Sequence, residues 1–212
     1  MKNALILTLG FDEKFCYRAI LRHGLKEGDK IVLITAGLVE KVKKAYEWIK
    51  SFAERSYDIE VRLIQINVRN FTEAISKVTA LLDELRDYNV IVNLSGGMRA
   101  LVIIVLLALM IKPMRNLKLE IELEDFSGLI EISNNLLRIH EIKQILTEEK
   151  VEILSLIVQG KGSVKTISEI LKKDASTIRR HISDLERFGL ITVEKRKPLE
   201  VKATELAKLI LK

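Results

Sequence analysis

The order of apolar and polar positions divides the chain into two stretches with different rhythms. Over residues 1–133, short largely apolar runs alternate with longer segments of helical spacing. The runs at 4–9, 30–36, 59–67 and 90–94 read as strands, and 13–25, 38–55, 70–85 and 98–111 read as helices. Continuous apolar strands joined by helices predict a parallel sheet covered on both faces. The helix over 98–111 is apolar on almost every side, so it is expected to be buried on most of them, and Pro113 closes it. Residues 117–124 alternate apolar with charged side chains, as a half-exposed strand would, and 129–133 is the expected antiparallel partner.

A connector over 134–146 follows, and then the pattern changes. Helical spacing recurs at 147–159, 164–172 and 175–188, with Thr147, Ser163 and Asp174 as expected N-caps and Gly189 as the stop. Short strands at 190–195 and 199–203 flank Arg196-Lys197-Pro198, and 204–211 closes the chain as a helix. Three helices and a basic β-hairpin are the order of a winged helix-turn-helix. The expected fold class is therefore α/β: a Rossmann-like, mostly parallel sheet over 1–133, a linker over 134–146 and a C-terminal winged helix-turn-helix over 147–212.

Charge sharpens this division. The formal net charge is +6. Residues 1–131 hold 19 Lys and Arg against 18 Asp and Glu, whereas 132–212 hold 16 against 11, so the positive excess lies in the smaller part. That asymmetry points to a polyanion partner there. The longest apolar run, 100–111, falls short of the roughly 20 residues a bilayer span needs. No basic segment with a cleavage site precedes the first strand, so no membrane partner and a cytoplasmic location are expected. The single Cys16 excludes an internal disulfide and a cysteine-based metal site.

The helix over 175–188 carries the clearest chemistry. Ile178, Ile182 and Leu185 share one face, while Ser176, Arg180, Ser183 and Arg187 fall opposite, flanked by Thr177 and Arg179. Arginine can take both acceptors of a guanine edge in the major groove, and hydroxyls bond bases or phosphates. With Lys165 on the preceding helix and Arg196 and Lys197 at the hairpin tip, these residues are the expected contacts to double-stranded DNA. The stretch from Ser176 to Ile191 resembles the recognition helix and first wing strand of MarR- and ArsR-like regulators.

In the first part, two loops follow strands and precede helices: Thr8-Leu9-Gly10-Phe11-Asp12 and Ser95-Gly96-Gly97-Met98-Arg99. In a sheet of order 3-2-1-4 they would be neighbours where the strand order reverses, the usual ligand site of open α/β sheets. Adjacent glycines permit close backbone approach. The helix start offers N–H groups to a phosphate, and Arg99 could fork onto it. No dinucleotide fingerprint or Walker loop is present. The three histidines are scattered: His181 lies in the helix over 175–188, and His23 and His140 have no apparent acid or cysteine partners. Neither a catalytic set nor a metal or cofactor site is expected.

The loops at 10–12 and 95–99, with the appended winged helix, resemble the CRISPR-associated Rossmann fold (CARF) regulators, in particular archaeal CARF–winged-helix transcription factors of subtype I-A systems. That resemblance implies a homodimer binding cyclic oligoadenylate, commonly cyclic tetra-adenylate, across its two-fold axis, with Thr8 to Asp12 and Ser95 to Arg99 at the ligand. It also implies allosteric control of binding to a palindromic operator, as part of antiviral defence. Alternatives are a ring nuclease that degrades the ligand and a regulator sensing another nucleotide.

Overall fold

The computed structural model describes all 212 residues. It divides into two compact units, Met1–Asn134 and Asn135–Lys212. Unit one holds β1 (Asn3–Thr8), α1 (Lys14–His23), β2 (Lys30–Thr35), α2 (Glu40–Tyr57), β3 (Val61–Gln65), α3 (Phe71–Glu84), β4 (Asn89–Asn93), α4 (Arg99–Ile111), β5 (Leu117–Glu122) and β6 (Leu129–Ile132). The sheet order is β3-β2-β1-β4-β5-β6. Every pair is parallel except β5 with β6, so the order reverses between β1 and β4. α1 and α2 pack on the face carrying Leu5, Leu7, Ile31 and Leu33. The opposite face, with Ala4, Ile6, Val32 and Val92, is equally closed, and α3 packs with α4. Burial on both faces is what the unbroken apolar strands require.

Two elements depart from expectation. α4 buries Leu101, Ile104, Val105, Ala108 and Leu109, one face of the helix, but Ile103 and Met110 are 48% and 45% exposed. The helix covers the sheet with one side, and nothing in unit one covers the other. β5, in turn, is not half-exposed: Glu120 and Glu122 are 0% and 3% exposed. Its charged face meets Arg18, Arg22 and His23 of α1 instead of water.

Unit two is a winged helix-turn-helix. From the boundary onward it comprises α5 (Asn134–Leu137), α6 (Ile139–Ile145), α7 (Glu148–Val158), α8 (Val164–Leu171), α9 (Ala175–Arg187), β7 (Ile191–Arg196), β8 (Leu199–Ala203) and α10 (Glu205–Ile210). The segment 134–146, which lacks the Pro and Gly of a flexible linker, is helical, and Ile142 joins the core with Leu154, Ile167, Ile178, Ile182, Leu185 and Val201. β7 and β8 form the antiparallel wing, with an irregularity between Val193 and Lys195. Thr147 caps α7, its hydroxyl accepting from Lys150 N–H. Ser163 and Asp174 occupy the cap positions of α8 and α9, but neither side chain accepts a backbone N–H. Thr204, not expected as a cap, closes α10 and donates its hydroxyl to the Gly189 carbonyl at 2.9 Å.

Candidate ligand cleft and nucleic-acid interface

At the carboxyl ends of the parallel strands, unit one opens into a cleft of about 660 Å³. Leu9, Gly10, Phe11, Asp12, Ser95, Gly96, Gly97 and Met98 all line it, so both loops singled out in the sequence contribute to one site. The glycines act differently from the expectation. A Cβ on Gly10 would lie 2.9 Å from Gly97 N, and one on Gly96 would lie 2.5 Å from the Thr8 carbonyl oxygen. Glycine is needed here so that the two loops can approach each other. A side chain at either position would push them apart.

Thr8 and Arg99 stand apart from the cleft lining. Thr8 is 1% exposed and donates its hydroxyl to the Gly96 carbonyl at 2.7 Å, clasping the loops. Arg99, the first residue of α4, is exposed and forms no ion pair. Cys16 lies beneath the first loop, its Sγ 3.8 Å from the Thr8 carbonyl. Burial, then the nearby Asp12 and Glu13 charges, push its thiol up to about 12, so it is no nucleophile.

The rest of the cleft comes from segments the sequence reading passed over. Thr35, Ala36, Gly37, Val39 and Val42 arrive from the β2–α2 connection, Phe15 from α1, Val68 from beyond β3, and Glu124 and Phe126 from the β5–β6 turn. Phe126 has φ +60°, a left-handed conformation that costs an L residue about 1–2 kcal/mol. The surrounding turn holds it there: Phe126 N–H donates to Leu123 O, and Asp125 accepts from both the N–H and the hydroxyl of Ser127. The Phe126 ring lies 5.2 Å from Phe15, centroid to centroid, and the Arg18 guanidinium sits 5.0 Å from its centre.

Behind the second loop runs a buried polar network. Asn93 accepts from Ser95 N–H through Oδ1 at 3.0 Å and donates through Nδ2 to Glu120 at 3.0 Å. Ser95 Oγ accepts from Glu122 N–H at 2.7 Å, which leaves its own proton free for a ligand. Arg22 bridges Glu120 at 3.0 Å and Glu122 at 2.7 Å, and Arg18 pairs with Glu122. His23 Nε2 lies 3.1 Å from both Glu120 carboxylate oxygens. His23 therefore has the acid partner it lacked in the sequence reading. Burial alone would raise the Glu120 pKa, but hydrogen bonds from His23 and Asn93, with the Arg22 charge, outweigh it and hold the carboxyl below its ordinary value.

In unit two, Arg179, Lys165, Arg196 and Lys197 line a niche of about 500 Å³ between α8, α9 and the wing, with Glu169 as its only acid. Ser176, Arg180, Ser183 and Arg187 are exposed along α9, and Thr177 is half-buried. Arg187 is bound to Asp184 at 2.9 Å, a surface pair weak enough to exchange for another anion. His181 points inward from this helix, 5% exposed. Its Nε2 is 3.2 Å from Glu149 Oε2, close enough for an ion pair, yet neither ring nitrogen is aligned for a hydrogen bond. His140 is exposed and meets Gln144 at 3.1 Å. No group of His, Cys, Asp or Glu side chains is arranged to hold a metal ion. No helix is long and apolar enough to cross a membrane.

The family profile of the Csa3 CRISPR-associated Rossmann-like domain matches residues 3–133, more than half of the chain. The chain belongs to the Csa3 family. A second profile, bacterial regulatory proteins of the arsR family, matches residues 147–193, from the α7 cap into the wing. Similarity to the family also runs the full length: 24% identity to Csa3 of Saccharolobus solfataricus covers 99% of this chain and 88% of that one. The relative is a CRISPR locus-related protein whose name offers DNA binding as an inference. Among solved structures, this Csa3-family chain overlaps at 16% identity, TM-score 0.49, with Enterococcus italicus Csm6 bound to cyclic hexa-2'-fluoro-hexa-dAMP. It overlaps at 11% identity, TM-score 0.48, with Can2 of Sulfobacillus thermosulfidooxidans in complex with cyclic tetra-adenylate. These matches cover 90% and 98% of the chain but only 55% and 63% of those proteins. Similarity that low does not extend to ligand or activity.

Proposed function

We propose that this protein is a CRISPR-associated transcription regulator. Unit two binds double-stranded DNA, and unit one binds a cyclic oligoadenylate, taken as cyclic tetra-adenylate, that controls the DNA-bound state. The observation that carries the DNA half is the exposed cationic surface of α9, continued by the Lys165, Arg179, Arg196 and Lys197 niche at the wing. In this reading Ser176, Thr177, Arg180, Ser183 and Arg187 enter the major groove, and the niche takes backbone phosphate.

The ligand half rests on the cleft at the β1/β4 reversal, where open α/β sheets bind ligands. Leu9 to Asp12 and Ser95 to Met98 form its wall, Thr8 clasps the two loops from beneath, and Arg99 stands at the opening of α4 for a phosphate. The exposed apolar side of α4 supports a homodimer. Ile103 and Met110 are 48% and 45% exposed, a surface that water disfavours and a second copy would cover. A two-fold ring on a two-fold dimer then meets the same groups twice, and the operator is palindromic.

Binding is favoured over ring cleavage because the cleft lining offers little acid–base machinery. The Thr8 hydroxyl is committed to Gly96, and Asp12 and Glu124 are the only titratable side chains on the wall. The test is calorimetry of the full chain with a panel of cyclic oligoadenylates and common nucleotides, paired with DNA binding at saturating ligand. One cyclic tetra-adenylate per dimer, with altered operator affinity, supports the reading. Absence of ligand binding rejects the ligand half, and unchanged DNA affinity at saturation rejects the coupling.

A further inference from the structure

The chemistry of the cleft wall decides which part of a nucleotide ligand it can hold. Its lining includes no Lys, Arg or His, whereas Asp12 and Glu124 are acidic. A phosphate would enter against two carboxylates, of which only Asp12 has a cation beside it, the Lys14 ammonium at 3.6 Å. The remaining wall is largely apolar and aromatic, with Phe15 and Phe126 forming a pair 5.2 Å apart and tilted by 36°. Phe126 lines the cleft with its backbone at φ +60°, a conformation that a bulky side chain rarely adopts. Arg18, itself fixed by Glu122, sits over the same ring and holds it in place.

The two carboxylates differ in availability. Asp12 accepts from the Lys14 N–H at 2.9 Å and pairs with the Lys14 ammonium at 3.6 Å. Glu124 has no hydrogen bond or ion pair. An ionised carboxylate can only accept hydrogen bonds. The free group on this wall therefore suits a flat, neutral ligand that presents N–H donors at its edge.

We infer that the cleft is a base pocket, in which Phe126 and Phe15 form the stacking platform and Glu124 selects a purine bearing an exocyclic amine. This rests on the ligand reading above and assigns it residues: adenine enters the cleft, and the sugar-phosphate stays outside. Glu124 accepts from the adenine amine. It repels hypoxanthine, which carries a carbonyl oxygen at the same position.

The experiment measures binding of cyclic tetra-adenylate and cyclic tetra-inosinate to the full chain and to Phe126→Gly, Phe126→Trp and Glu124→Gln. Phe126→Gly removes the ring at a backbone conformation that glycine adopts readily, so the turn is retained. Thermal unfolding of each variant checks this. Loss of stacking weakens cyclic tetra-adenylate by about tenfold or more in Phe126→Gly, and Phe126→Trp restores it. Wild type binds the inosinate ring at least about tenfold more weakly than the adenylate ring. Glu124→Gln, whose amide both accepts and donates, narrows that gap by improving inosinate binding. Equal affinities of wild type and a folded Phe126→Gly would overturn the platform. An adenylate-to-inosinate ratio unchanged by Glu124→Gln would overturn the selector. In both of those cases cyclic tetra-adenylate still binds wild type, so the ligand reading survives. Failure of wild type to bind it removes the reading and the inference together.

Discussion

The buried ion network behind the second loop gives the sharpest test of how unit one is held together. Replacing Arg22 with Met keeps an apolar stem of similar length and deletes the guanidinium. Glu120 and Glu122, 0% and 3% exposed, then lose the cation that bridges them at 3.0 and 2.7 Å. Removing one partner of a fully buried pair costs about 3–5 kcal/mol. Glu120 keeps His23 and Asn93, Glu122 keeps Arg18, and the Arg22 side chain is itself 27% exposed. These remaining partners and the partial access to water reduce the expected loss to about 2 kcal/mol.

Trp48, the single tryptophan, lies on α2 of unit one, so urea unfolding followed by its fluorescence reports this unit. The pH dependence adds a second reading. Because the folded-state pKa of Glu120 is lowered, its contribution is fully present above the unfolded carboxylate range of about 4.3 and is lost as pH falls through the folded value. In Arg22→Met that contribution is smaller and is exhausted at higher pH, since one of the groups favouring the charged form is gone. A variant within about 0.5 kcal/mol of wild type at pH 7, with an unshifted acid limb, would refute the claim that Arg22 compensates the buried carboxylates.

Other substitutions probe separate parts. Gly96→Ala places a methyl 2.5 Å from the Thr8 carbonyl oxygen and is expected to cost about 1–3 kcal/mol by the same unfolding assay, with weaker ligand binding. Arg180→Ala is expected to lose about 1–3 kcal/mol of operator binding and relax discrimination at one base position, whereas Lys197→Ala weakens operator and random DNA alike and lowers the salt slope by about one. Titrations at several salt concentrations separate the two. Ile103→Glu puts a charge on the exposed apolar side of α4, and sedimentation is expected to show monomer in place of the dimer proposed for wild type. A dimeric Ile103→Glu protein would remove α4 from the interface.

The parts of the fold legible in the sequence were those where one pattern admits one environment. Three largely apolar strands and a more mixed one, separated by helices, leave little choice but a sheet covered on both faces, and the order β3-β2-β1-β4 follows the expected reversal. Charge alternation on β5 does not have that property. Lys118, Glu120 and Glu122 give the same period-two signal whether their face meets water or meets Arg18, Arg22 and His23, because a pattern records polarity and not the partner. α4 shows the converse ambiguity. Apolar residues on every side fit a helix enclosed by its own fold, and they also fit one that leaves Ile103 and Met110 for another surface.

The same limit explains which half of the cleft could be seen. Gly10, Gly96 and Gly97 mark their loops because close backbone approach demands glycine, whatever it is that approaches. That requirement marked two loops that line one cleft, but its cause differs from the one expected: the glycines admit the opposite loop. Phe126 carries no such mark. In the sequence it sits between Asp125 and Ser127 as one apolar residue in a polar turn, and only its left-handed backbone sets it apart. Strain of that kind is invisible to periodicity and must be repaid by contacts. The Asp125–Ser127 bonds and the Phe15 and Arg18 contacts can hold the ring, but they do not require an aromatic residue at the rim of a cleft. A turn built only for stability would more often place glycine or asparagine at that φ, and the proposed base pocket gives the phenylalanine a second reason beside its contacts with Phe15 and Arg18.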